Sequence, residues 1–307
     1  MLDVVRLATL RSVVELESFS AAARALSLTQ PAVSRQIALL ERQVGQQLVA
    51  RTRQGVRPTE AGRLLVAHAE VVLRRLELAE EELAELAGLR RGRVRLGSFF
   101  AALGQLSTEL AADLGERHPE LVIEDELIDR RAAFAGLMEG RLDVALVVEL
   151  EAEPLPAPPE IELTPLFRDP VRVLLPPRHR LARRRAVRIV QLADETWLRP
   201  RDGSVARLID GLLAAARATP PMLLVGRGDE PVELHPLVAA GRGVTVAHDL
   251  TVPGGRDVLV RRLADPAPAR IVQAAALREH RGPAARAVLD ALLEIGRRRA
   301  ERLAAGR

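Results

Sequence analysis

The chain has 307 residues, 48% of them hydrophobic, which is enough apolar material for two or three buried cores. Cysteine is absent, which excludes disulfides and thiolate metal sites, and no apolar run approaches the roughly 18 uncharged residues of a membrane span. The formal charge is only +4, and with no lysine, tyrosine or cysteine nothing abundant titrates between neutral pH and about 12, so the isoelectric point of 10.9 overstates the basicity.

Charge distribution says more than the total. Arginine outweighs acid through residue 66, with Arg24, Arg35, Arg42, Arg57 and Arg63 among the contributors. Residues 67–87 reverse the sign, with Glu70, Glu77, Glu80, Glu81, Glu82 and Glu85 against Arg74 and Arg75. The opening run carries Asp3, Arg6 and Arg11 inside its apolar period. It therefore reads as a helix from Leu2 to about Glu17 with Leu7, Leu10 and Val14 as its stripe. It does not read as a signal peptide, and a cytoplasmic location is expected.

Phe19 to Leu40 follows as two short helices around a tight turn. Ala22, Ala23 and Leu26 give the first an apolar stripe; Ser27-Leu28-Thr29 breaks the period, and Thr29 is a good N-cap for a helix opening with Gln30-Pro31. In that helix Val33, Ile37 and Leu40 fall at i, i+4 and i+7 and should face inward. Gln30, Pro31, Ser34, Arg35 and Ala38 then face out, a small, polar and basic set suited to base edges in a major groove. Gln47 to Arg51, a Gly55 turn and Val56-Arg57-Pro58 predict a basic hairpin, a wing placed to meet DNA backbone or minor groove.

Thr59 to about Leu89 reads as one long helix with Thr59 as N-cap. Leu65, Val72, Ala79 and Leu86 repeat every seven residues, with Ala69, Leu76 and Leu83 between them, which predicts helix pairing in a dimer; packing on its own chain is the competing reading. Beyond about Arg93, strand and helix signals alternate. Val94 to Gly97 is a predicted strand, Ala101 to Arg117 a helix, Leu121 to Ile128 a strand, Arg131 to Glu139 a helix and Leu142 to Val148 a buried strand. After Pro154 to Pro159 the rhythm resumes with Val171 to Leu175, Trp197-Leu198, a helix over Val205 to Arg217, and Val244 to Val246; a last helix runs from Pro283 to about Leu303. Two open α/β sheets follow from this rhythm, and such sheets bind ligands at the carboxyl ends of their strands.

The run Ser18 to Ala23, continued by Leu28 to Ile37, Leu40-Glu41, Gly45, Leu48, Arg51 and Thr59 to Gly62, resembles the LysR-type transcriptional regulator family. The resemblance extends through His118-Pro119, Gly140 to Asp143 and Ala239 to Val244. It implies an α plus α/β multidomain protein: a winged helix-turn-helix over 1–58, a linker helix over 59–89 and a two-lobed effector domain over 90–307, similar to type 2 periplasmic binding proteins. Lobe I would span about 90–167 and 268–307, and lobe II about 168–267, with crossovers near Phe167–Pro170 and Pro266–Ile271. It further implies a homodimer through the linker helix, a homotetramer, a small-molecule effector and a two-fold DNA operator, with no cofactor. Val49 stands where the family usually has phenylalanine, Leu10 replaces a common aromatic, and a usual Leu-Pro pair is missing around Gln105-Leu106.

Gln30, Ser34 and Arg35 are the expected base contacts and Pro31 the expected thymine-methyl contact. Ser20, Thr29, Arg51 and Arg53 are phosphate candidates, with a solvated charge the rival reading for Arg53. For the effector, Ser98-Phe99-Phe100 follow the first effector-domain strand and precede a helix N-terminus, which suits an anionic group beside an apolar body. Glu149, Arg201, Ser204 and His248 follow other strands or precede helices on the same side, whereas Trp197 reads as core. No HExxH, GxSxG or phosphate loop is present, so an enzyme is not expected. Rival readings are an architectural DNA-binding protein, which would not need so large an α/β region, and a solute-binding protein, which would need an export signal.

Overall fold

The computed structural model describes residues 1–52, 55–86, 92–151, 156–226, 233–252, 257–279 and 282–305, apart from the side chains of 51, 81, 82 and 84–86. The N-terminal unit packs α1 (Val4–Glu15), α2 (Phe19–Ala25) and α3 (Gln30–Val44) against a hairpin of β1 (Val49–Thr52) and β2 (Gly55–Pro58). Helix α1 starts two residues later than expected because the Asp3 carboxylate caps it, accepting from the Val5 amide at 2.8 Å. Its buried stripe is Leu7, Leu10 and Val13, with Val14 only half-buried. Leu10 and Val49, the two departures in core positions, are both buried in one cluster with Val33, Ile37 and Leu40.

Helix α4 (Glu60–Leu86) begins where the hairpin ends. Thr59 Oγ1 donates to the Gln47 carbonyl at 2.7 Å and accepts from the Gly62 amide at 3.0 Å, so one hydroxyl caps the helix and seats it on the wing. Gly62 is required by contact: a Cβ there would lie 2.0 Å from the Leu48 carbonyl oxygen. The expected heptad divides. Ala69 and Leu73 are buried against Leu7 of α1, with Leu65 packed beside them. Val72, Leu76 and Leu83 are exposed, Ala79 is exposed between them, and the Leu86 side chain lies outside the described residues. A seven-residue spacing alone does not tell these two faces apart.

The C-terminal half holds two sheets. In the first, β3 (Gly92–Ser98) lies between β4 (Leu121–Leu127) and β5 (Val144–Leu150), both parallel to it, and β13 (Arg270–Leu277) runs antiparallel between β5 and β6 (Ile161–Asp169). Helices α5 (Phe100–Arg117) and α9 (Pro283–Ala304) cover one face over Val94, Leu96, Leu146 and Val272, and α6 (Arg130–Met138) covers the other with Phe134 and Leu137. The second sheet is ordered β11 (Thr245–His248), β7 (Val171–Leu175), β12 (Leu259–Leu263) and β8 (Ala186–Val187). A parallel pair, β9 (Trp197–Arg199) and β10 (Met222–Leu224), joins it through the Trp197–Val244 bridge. Helices α7 (Ser204–Ala215) and α8 (Leu234–Ala239) complete this lobe, and Trp197 is buried at its centre, donating from Nε1 to the Leu192 carbonyl at 3.0 Å.

The chain passes from lobe I to lobe II at Pro170 and returns before Arg270. Asp169 and Arg270 are register partners on β6 and β13 and form a buried ion pair at 2.8 Å. The second Asp169 oxygen accepts from the Leu250 amide of lobe II at 3.0 Å. Burial pushes the Asp169 carboxyl up, and the Arg270 guanidinium opposes that shift.

A polar junction fastens the N-terminal half to lobe I. Arg74 of α4 meets Asp143 at 2.7 Å, both nearly buried, and Asp143 also accepts from the Arg95 amide of β3 at 2.9 Å. Glu77 completes the cluster, 3.2 Å from Arg95 and 3.7 Å from Arg11 of α1.

Candidate nucleic-acid interface and effector cleft

The outward face of α3 is what its period predicts. Val33, Ile37 and Leu40 are buried, Gln30, Pro31, Arg35 and Ala38 are exposed, and Ser34 is half-buried. Thr29 caps the helix from an extended conformation, its Oγ1 3.4 Å from the Ala32 amide, and Gly45 in the left-handed region at φ 71° ends it. Ser20 is exposed on the first turn of α2, whose own N-cap is Ser18, so its hydroxyl is left to solvent. Arg51 lies on β1, and its side chain falls outside the described residues, as does Arg53 altogether. Glu41, part of the run that carries the resemblance, had no role assigned from sequence. Its carboxylate accepts from the Leu48 and Val49 amides at 2.8 and 3.3 Å, so α3 itself fixes where the wing begins. The Thr9 hydroxyl donates to Gln36 from the other side, clamping α3 on α1.

The effector candidates fall into two groups. Ser204 at the start of α7 and His248 at the end of β11 share a cavity of about 460 Å³ between α7 and the returning crossover, lined also by Leu150, Leu208, Leu212 and Pro266. His248 is almost wholly buried, and burial together with the nearby Arg270 pushes its pKa down to about 3, so the imidazole is neutral at physiological pH. Phe99 is tied to this region from lobe I, because Arg270 sits over its ring at 5.1 Å from the centroid.

The others stand apart from that cavity. Ser98 is fully buried, and its hydroxyl lies beside Asp125, whose carboxyl burial pushes up while Ser107 and Ser98 pull it back. Phe100 is 48% exposed at the start of α5, and no side chain caps that helix. Arg201 is exposed in the loop before α7, its amide donating to the Gly226 carbonyl at 3.2 Å. Glu149 accepts from Gln273 at 3.2 Å, and Arg130 lies close by, donating to the Val148 carbonyl at 2.9 Å.

Arg130, Gln273 and Arg270 were not singled out from sequence. The position of Arg130 just past the carboxyl end of β4 was the one available signal. Across the two lobes, Gln105 of α5 donates to the Leu250 and Val252 carbonyls at 2.6 and 3.2 Å. The residue at the missing Leu-Pro position therefore acts as an inter-lobe strut.

Residues 4–63 match the family described as bacterial regulatory helix-turn-helix protein, lysR family, and residues 87–297 match the LysR substrate binding domain. The small neutral protease regulatory protein of Streptomyces coelicolor is 33% identical over 300 residues, covering 96% of this chain and 88% of that protein. The RuBisCO operon transcriptional regulator of Allochromatium vinosum is 31% identical over 193 residues, 62% of this chain and 61% of its own length. Among solved structures, a full-length OxyR from Pseudomonas aeruginosa shares the fold with a TM-score of 0.70 at 23% identity, over 97% of this chain and 95% of that one. ArgP from Mycobacterium tuberculosis does so with a TM-score of 0.65 at 24% identity, over 96% and 98%. The described residues contain no helix long and apolar enough to cross a membrane. With both halves matched and the fold shared nearly end to end, this chain belongs to the LysR family, DNA-binding transcriptional regulators whose activity a bound effector modulates.

Proposed function

We propose that the chain reads a two-fold operator as a dimer, with Gln30, Ser34 and Arg35 at base edges and Pro31 against a thymine methyl. Ser20, Thr29, Arg51 and Arg53 take phosphates on either side. The observation that carries this reading is the split of α3, whose buried Val33, Ile37 and Leu40 leave an uncovered face of small and basic residues at its first turns. The corresponding division is 1–58 for DNA, 59–89 for pairing and 90–307 for the effector.

Pairing uses the exposed Val72, Leu76, Ala79 and Leu83 stripe of α4, whose 4–3–4 spacing matches a coiled-coil seam. Two dimers assemble into a tetramer. A small molecule with an apolar body enters between the lobes near Phe99, with Ser204 and His248 lining its cavity; Ser98, Phe100, Glu149 and Arg201 do not line it. Its binding favours one lobe angle, and the differential affinity for that angle is what reaches the DNA. Cytoplasmic residence follows from the role.

The test compares Arg35→Ala with the unaltered protein on an operator found by footprinting upstream of the chain's own gene and on random DNA. Loss of a bidentate guanine contact weakens operator binding by about 1–3 kcal/mol and leaves random DNA nearly unaffected. Equal loss on both would remove Arg35 from the base-reading set.

A further inference from the structure

Between the turn before β8 and the middle of β12 the sequence carries an acid-free arginine run, Arg178 to Arg188, facing a second pair, Arg261-Arg262. The fold closes these around a groove of about 780 Å³ on lobe II that shares no lining residue with the His248 cavity, although Asp249 of the groove directly follows His248. Arg183, Arg184 and Arg185 form one wall, Arg261 and Arg262 the other, and Arg172 the floor. The end of α9, Ala304-Ala305, closes one side, so an element of lobe I completes a groove otherwise made by lobe II.

The acids of this face are already committed. Asp249 pairs with Arg172, Glu195 with Arg180, and Asp265 with Arg188 at 3.8 Å. Arg261 is held inward by the Val260 and Ala182 carbonyls. Arg183, Arg184, Arg185 and Arg262 are exposed and meet no carboxylate among the described residues. The C-terminus of α9 contributes roughly half a negative charge, far short of compensating several guanidiniums. Like charges gathered without counter-charge repel one another, and a bound anion removes that repulsion.

We propose that this groove is a second ligand site, taking a compact polyanion with two or more phosphate groups. Guanidinium forks match phosphate oxygens bidentately, and the volume is that of a small-molecule site. The arginines line a recess rather than a stripe, which favours a compact anion over the backbone of a duplex. Because α9 closes the groove, an anion held there bears on both lobes, and Arg172–Asp249 connects its floor to the strand end that carries His248. The site does not depend on what occupies the inter-lobe cavity.

The probe is inorganic tripolyphosphate, titrated calorimetrically into the full chain at fixed ionic strength. Binding at one site per chain is expected. The Arg184→Ala/Arg185→Ala/Arg262→Ala variant should bind about a thousandfold more weakly, at about tenfold for each charged hydrogen-bonding group removed. All three side chains are exposed, so the fold persists, and the lysine triple variant, which keeps charge without forks, should fall between. Removing Arg131 and Arg242, exposed arginines outside the groove, should change nothing. No binding by the unaltered chain, or equal losses in the groove and control variants, overturns the proposal. A groove variant that loses affinity for random DNA while tripolyphosphate never binds would overturn it in favour of a DNA surface.

Discussion

Replacing Asp143 should loosen the joint between the DNA-reading half and lobe I. One carboxylate oxygen meets Arg74 at 2.7 Å, with the two side chains 5% and 9% exposed. The other accepts from the Arg95 amide at 2.9 Å and lies 3.5 Å from Arg95 Nε. Breaking a buried pair by removing one partner costs about 3–5 kcal/mol, of which an unsatisfied Arg95 amide accounts for roughly 1–3. Arg74 keeps Glu77 at 3.4 Å, which places Asp143→Ala near the lower end, at about 3 kcal/mol. Urea unfolding followed by far-ultraviolet circular dichroism would measure it, in a double-mutant cycle with Arg74→Met. The expected coupling is about 2 kcal/mol, because once Asp143 is gone the charge of Arg74 no longer helps. Amide exchange should rise along the Arg74 turn of α4 and at the start of β3, while the winged-helix core around Leu10 and Ile37, a separate cluster, stays protected. An Asp143→Ala cost below about 1 kcal/mol, or strict additivity with Arg74→Met, would refute the claim that this pair holds the two halves together.

Leu76→Glu/Leu83→Glu should convert the dimer to monomer in sedimentation velocity, since both leucines are exposed on the single chain and their loss costs its own core nothing. A dimer of unchanged affinity would remove α4 from the interface. His248, with a folded pKa of about 3 against an ordinary 6.5, stays neutral while the unfolded chain takes up a proton between those values. Its contribution is therefore whole above about pH 6.5 and is lost on acidification at up to about 1.4 kcal/mol per pH unit. His248→Gln should flatten the pH dependence of the urea midpoint between pH 6 and 4, and an unaltered slope would show that the imidazole titrates freely in the folded state.

The helix-turn-helix was legible because its determinants are local: Thr29 and Gly45 cap α3, and Val33, Ile37 and Leu40 lie within two turns of one another. Although β6, β8, β10, β12 and β13 had no predicted strand, the strand-and-helix rhythm of the C-terminal half was in part legible for the same reason. The sheet order was not, since β13 enters between β5 and β6 from more than a hundred residues away, and no local pattern encodes that insertion. The same distance hid Asp169–Arg270, whose partners become neighbours only after the chain has built the whole of lobe II. The α4 pattern was read correctly as apolar and incompletely as a seam. Ala69 packs on Leu7 of α1 in the same chain, whereas Leu76 lies on the exposed stripe, a difference that the heptad does not encode. Among the effector candidates, position relative to strand ends located Ser204 and His248 in one cavity. It said nothing of whether Ser98 turns toward that cavity or, as it does, lies beside Asp125.

The two passages between the lobes leave lobe I from paired positions on neighbouring antiparallel strands, stapled by one ion pair. Two attachment points so close together define an axle. Rotation about it strains the chain least, and Gln105, bonded across the lobes to the Leu250 and Val252 carbonyls, is the contact that resists it. A change of a few degrees there is small at Arg270 and grows with distance from the axle. For any rotation about it, the far rims of the lobes are displaced most.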